Sequence, residues 1–107
     1  MSVVAFKENG ISLVASIACE IDHHTARILR AEIDRMLFLN KPELLIMDFT
    51  AVRFMDSSGI GLILGRLDKA ESIGASLRLV GLSQTLMKLV RLSGIERMKS
   101  ISVSRNA

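Results

Sequence analysis

The sequence predicts a single α/β domain on a mixed β-sheet, an N-terminal hairpin followed by strands and helices in alternation. Three observations carry this. Short apolar runs alternate with longer segments whose apolar residues recur every three or four positions. Asn9-Gly10 separates the first two runs, and the only proline, Pro42, stands between a helical segment and the next run. At 107 residues, half of them apolar, the chain is long enough to close one core without metal or disulfide support.

Val3 to Lys7 reads as a strand, and Glu8-Asn9-Gly10 as its hairpin turn, since Asn-Gly tolerates positive φ. Ile11 to Ile17 is the returning strand, with Ile11, Leu13, Ala15 and Ile17 on one side. Asp22 or Thr25 opens a helix to about Leu39, its apolar stripe formed by Ala26, Leu29, Ile33, Met36 and Leu37. Pro42 stops it before the strand Leu44 to Asp48, whose unbroken apolar run is that of a strand buried on both faces. A loop from Phe49 to Asp56 leads into a helix to about Ile73, closed by Gly74 and carrying Ile60, Ile63, Leu64 and Leu67 on one face. Ser76 to Val80 alternates as a strand, and Ser83 caps a short helix ending at Ser93-Gly94. A last strand near Ser100 to Val103 precedes a polar tail. Parallel strands need crossovers, and the helices supply them.

Composition limits the classes of function. Four Phe and no Tyr or Trp leave an aliphatic core with six Met as adaptable filler. One cysteine, Cys19, cannot form an internal disulfide, which fits a reducing cytosol. No apolar run reaches the length of a membrane span and no signal-peptide pattern opens the chain, so a soluble cytoplasmic protein with no membrane role is expected. The net charge is +3, with residues 1–50 at −2 and residues 51–107 at +5. The basic residues of the second half are dispersed and have no Tyr or Trp interleaved for base stacking. They read as solvated helix faces, with a partner-facing acidic surface as the next choice, rather than as a nucleic-acid interface.

The most informative segment is Phe54 to Arg66. Asp56, Ser57 and Ser58 fall where the chain changes from extended to helical period, and Asp and Ser are helix-capping residues. A hydroxyl there is exposed at the positive end of a helix dipole, where free N–H groups accept an added anion. Inside the helix Gly61 and Gly65 share a face, and Gly59 lies in the first turn. Gly65 reads as close packing on the sheet; Gly59 and Gly61 leave open both packing and a partner's close approach. A phosphate-binding loop is excluded, because Gly65 is not followed by Lys and Ser or Thr.

Other chemistries are weakly supported. Met55 stands where a serine hydrolase elbow needs its first glycine. His23, His24 and Asp22 are adjacent in sequence and do not share a helix face, so no metal is expected. Cys19 has no neighbouring cation to activate its thiol.

Asp56-Ser57-Ser58-Gly59-Ile60-Gly61 after a buried strand, with Gly65-Arg66 following, resembles the signature of anti-sigma factor antagonists of the STAS domain family. Glu20-Ile21-Asp22-His23-His24-Thr25-Ala26, Ile73-Gly74 and Leu92-Ser93-Gly94-Ile95 extend the resemblance over nearly the whole chain, and its sporulation members are the most similar. One STAS domain spanning 1–107, with helices packed mainly on one sheet face, is what the resemblance implies. It also implies a non-catalytic switch. The unphosphorylated form binds an anti-sigma factor that is also a serine kinase and frees its sigma factor; phosphorylation ends this, and a phosphoserine phosphatase reverses it. By position the acceptor is Ser57, with Ser58 as a helix-start contact. Asp22, Asp56, Ser57, Ser58, Gly59 and Gly61 form the docking surface, with no cofactor, metal or nucleotide. A STAS module serving a stress-response or transporter-associated partner is the alternative. Cys19 stands where the family commonly has glycine.

Overall fold

The computed structural model describes residues 3–104. Strands β1 (Val4–Asn9) and β2 (Ser12–Ile17) form an antiparallel hairpin whose register pairs Asn9 with Ser12, leaving Gly10 and Ile11 as the turn. Gly10 has φ +63°, and Ile11 is not in the left-handed region, the pattern of a two-residue turn with glycine at its first central position. The turn is thus one residue later than Asn9-Gly10 suggests. Ile11, expected on the inner face of β2, is 61% exposed, and the inward alternation begins at Leu13.

Helix α1 (His23–Asn40), β3 (Leu44–Asp48), α2 (Ser57–Ser72), β4 (Ser76–Val80), α3 (Gln84–Ser93) and β5 (Ile101–Val103) follow. A short 3₁₀ turn, Ile95–Arg97, which the sequence reading missed, precedes β5. The sheet runs β1-β2-β3-β4-β5, antiparallel at the first pair and parallel thereafter. Each parallel step moves one strand over in the same direction, so right-handed crossovers put α1, α2 and α3 on the same face. Burial agrees. Leu13, Ala15, Leu45, Met47, Leu77 and Leu79 are buried inward, while Val14 and Ile46 on the opposite face are half-covered and Arg78 is exposed. The apolar run of β3 is therefore buried on one face only, because no helix covers the other.

All three helices contribute to one core: Leu29 and Ile33 from α1, Ile63 and Leu67 from α2, Leu86 and Val90 from α3. In α2, Ile60 and Leu64 are only half-buried, and Leu62, Arg66 and Ala70 take inward positions. α2 packs against α1 as well as the sheet, and its buried arc turns toward α1. The caps explain the helix starts. The Asp22 carboxylate accepts from the Thr25 N–H at 2.9 Å and the Asp22 N–H donates to Thr25 Oγ1 at 3.0 Å, a reciprocal capping box. Ser83 Oγ accepts from the Leu86 N–H at 3.2 Å. Gly74, at φ +76°, turns the chain out of α2. Cys19 has no positive φ, so its side chain brings no backbone strain. Of the polar tail, residues 105–107 lie outside the described residues.

Candidate functional site

Two helix starts are fastened side by side. Ile21 and Met55, just ahead of α1 and α2, form a parallel bridge outside the main ladders. The Ile21 N–H donates to the Phe54 carbonyl at 3.0 Å, and the Asp56 N–H donates to the Ile21 carbonyl at 3.1 Å. Both bridge residues are buried in the core, which fixes the residues that follow them, Asp22 and Asp56. These are the N-caps of α1 and α2. Two carboxylates and two helix N-termini thus share one end of the domain.

Asp56 accepts from the Ser58 N–H at 2.8 Å through its carboxylate and from the Gly59 N–H at 2.9 Å through its carbonyl. Ser57, the first residue of α2, is exposed, and its hydroxyl makes no hydrogen bond among the described residues. Ser58 is half-buried. The Thr25 backbone N–H, followed by weaker contacts to Thr25 and His24, holds the Asp22 carboxyl below its ordinary value of 3.8. Asp22 therefore supports the fold above that value, and its contribution is lost as pH falls below it. Cys19 is shifted the other way: partial burial raises its thiol pKa, keeping it protonated at neutral pH.

The glycines separate into two kinds. Gly59 is buried, and a Cβ there would overlap Cγ and Sδ of Met55. Its small size makes room for the bridge residue, so packing explains it and a partner is not required. Gly59→Ala is expected to destabilise by about 1–2 kcal/mol, overpacking outweighing the gain in helix propensity. In a Met55→Ala background the same change is expected to be neutral or stabilising, as urea titrations of the four-member cycle would show. Gly61 and Gly65 differ: an added Cβ meets nothing within 4 Å at either. Gly65 is thus not a close-packing residue against the sheet, as its sequence context suggested. Each costs the isolated fold about 0.8–1 kcal/mol relative to Ala with no internal compensation.

These two glycines open onto a groove of about 450 Å³ between Ala26, Arg27 and Arg30 of α1 and Ser58, Gly61 and Gly65 of α2. Arg66 also lines it, although the residue is 3% exposed, and its Nε lies 2.7 Å from Asp34 Oδ1. Burial lowers the Arg66 pKa and the Asp34 charge opposes that shift. Arg66 enters the sequence reading only through the Gly65-Arg66 match, which signals neither its burial nor the groove. The available signal was an arginine inside the apolar arc Leu62-Ile63-Arg66-Leu67.

Neither His23 nor His24 hydrogen-bonds to Ser57, so no hydrolase pair is formed among the described residues. Nor do three of His, Cys, Asp and Glu gather there at metal-binding distance. No helix of the described residues is long and apolar enough to cross a membrane.

Known proteins share this fold. A STAS domain model matches residues 3–106. Over 84 residues the chain is 33% identical to an anti-sigma F factor antagonist of Lysinibacillus sphaericus, covering 78% of this chain and 72% of that relative. The fold superposes on the anti-sigma factor antagonist SpoIIAA in its unphosphorylated form with a TM-score of 0.79 at 29% identity, covering 94% of this chain and 86% of that one. On the phosphorylated form of SpoIIAA, from Bacillus, the TM-score is 0.71 at 29% identity, with 94% and 89% covered. With the sheet order, the paired helix starts and the Asp-Ser-Ser-Gly segment in place, the chain belongs to the anti-sigma factor antagonists of the STAS domain family.

Proposed function

We propose that this protein is a cytoplasmic anti-anti-sigma factor whose binding is controlled by phosphorylation of Ser57. Unphosphorylated, it docks on an anti-sigma factor and displaces the sigma factor held there. The same anti-sigma factor, acting as a serine kinase with ATP, phosphorylates Ser57, and a phosphoserine phosphatase restores the binding form. The protein is the substrate in this cycle and not an enzyme.

The observation that carries the proposal is Ser57 itself, an exposed and unengaged hydroxyl at the first position of α2, beside a second capped helix start. Ser58 has its N–H fixed by Asp56 and is half-buried at the edge of the groove, which suits support rather than transfer. Asp22, Asp56, Ser58 and Gly61 complete the docking surface; Gly59 supports it from below. A phosphoserine carries about −1.5 to −2 charge at pH 7. On Ser57 it adds that charge next to two carboxylates, which penalises an interface more than the free protein, where water and the helix N-terminus solvate it. The switch then needs no refolding, in keeping with a relative known in both states on one fold. Incubation with ATP and the anti-sigma kinase is the test, and it is expected to place one phosphate on Ser57.

A further inference from the structure

We propose that the α1–α2 groove receives an acidic segment of that same anti-sigma partner, extending the contact from the Ser57 end along α2. The inference rests on the phosphorylation-switch reading for the identity of the partner, and on separate residues for the contact. Ala26, Arg27 and Arg30 recur at helical spacing on α1, and Ser58, Gly61, Gly65 and Lys69 do so on α2, so two stripes face one trough. From Ser58 to Lys69 the trough extends roughly 16 Å along the helix, the reach of a peptide segment rather than of a single small anion.

Three features specify the occupant. Arg27, Arg30 and Lys69 are exposed along the groove against one acid, Asp68, so the rim favours negative charge. Gly61 and Gly65 have open space where their side chains would stand, which lowers one wall enough for another backbone to lie close. At the floor, the Arg66 Nε is paired with Asp34 Oδ1 at 2.7 Å, and the other N–H groups of the guanidinium have no hydrogen-bond partner among the described residues. A carboxylate entering the groove supplies those remaining N–H groups with a charged acceptor. Groove and phosphorylation site are continuous, because Ser58 lines the one and follows Ser57 in the other.

The test compares binding kinetics to the anti-sigma factor with thermal unfolding for wild type, Gly61→Ala, Gly65→Ala and the pair Arg27→Glu/Arg30→Glu. Each glycine variant is expected to raise Tm by about 4 °C through helix propensity and to weaken binding by about tenfold, mainly through faster dissociation. The charge-reversed pair is expected to keep its Tm, associate more slowly and lose much of its salt dependence. If wild type binds and Ser57→Asp does not, while the groove variants bind as wild type does, the groove proposal is overturned and the phosphorylation switch stands. A fall in Tm for the glycine variants would also overturn it, by showing an internal need for those glycines. If wild type does not bind the anti-sigma factor, both proposals fall together.

Discussion

Ser57→Asp is expected to weaken anti-sigma factor binding by at least about a hundredfold, whereas Ser57→Ala is expected to bind within about threefold of wild type. A hundredfold is about 2.7 kcal/mol. The estimate rests on the end of the domain where the Ile21–Met55 bridge brings Asp22 and Asp56 together. A third carboxylate there must be desolvated beside two others when a partner covers it, and removing an uncompensated charge from water costs several kcal/mol. In the free protein the same side chain lies exposed at a helix N-terminus, where negative charge is stabilising by about 0.3–1 kcal/mol. Ser57→Asp is thus expected to fold with unchanged or slightly higher stability while losing its partner. Ser57→Ala removes a hydroxyl that makes no internal hydrogen bond, so it should leave both fold and docking intact. Titration calorimetry with the anti-sigma factor, beside thermal unfolding of each variant, reads both halves. Equal affinity for the two variants would defeat the charge mechanism.

The second large effect concerns stability. Asp34→Ala is expected to cost about 3 kcal/mol and to lower Tm by about 12 °C. The Arg66 side chain is 4% exposed, and Asp34 Oδ1 stands 2.7 Å from its Nε, so removing the carboxylate strands a guanidinium in the interior. Asp34 is itself 25% exposed, and that access to water keeps the estimate at the low end of the range for buried pairs. Replacing both partners with apolar residues of similar size, Arg66→Met with Asp34→Leu, is expected to come within about 1 kcal/mol of wild type, because no buried charge remains. Urea denaturation with an unchanged m-value measures both changes. A double variant as unstable as Asp34→Ala would show that the pair is not what stabilises the α1–α2 contact.

Much of this fold is legible in the sequence because its boundaries are set by local chemistry. Asp56 and Ser83 act through side-chain bonds to the next N–H groups, and Asp22, one of two starts considered for α1, takes Thr25 as its capping partner. β4 spans Ser76–Val80, the limits its alternation marks. What periodicity does not encode is which neighbours arrive. Leu44 and Ile46 look interior by hydropathy, yet one sheet face has no helix over it. Asn9-Gly10 has the residues of a hairpin turn, but the register with Ser12 moves the turn to Gly10-Ile11. The site divides in the same way. Ser57 and Asp56 sit in one short motif, and Asp22 joins them only because Ile21 pairs with Met55 across 34 residues of chain. Helical spacing puts Gly61 and Gly65 on one face and Gly59 on another, but only the positions of Met55 and of the open groove show what each face meets.

The proposed phosphorylation of Ser57 is tested most directly by mapping the phosphate. The unphosphorylated protein is incubated with ATP and the anti-sigma kinase, its intact mass recorded, and its peptides sequenced across Phe54 to Arg66. The expected result is a single phosphate on Ser57, absent from the Ser57→Ala variant and removed by the phosphatase with recovery of binding. A phosphate on Ser58, or a protein left unmodified by a kinase that binds it, would contradict the assignment of Ser57 as the switch.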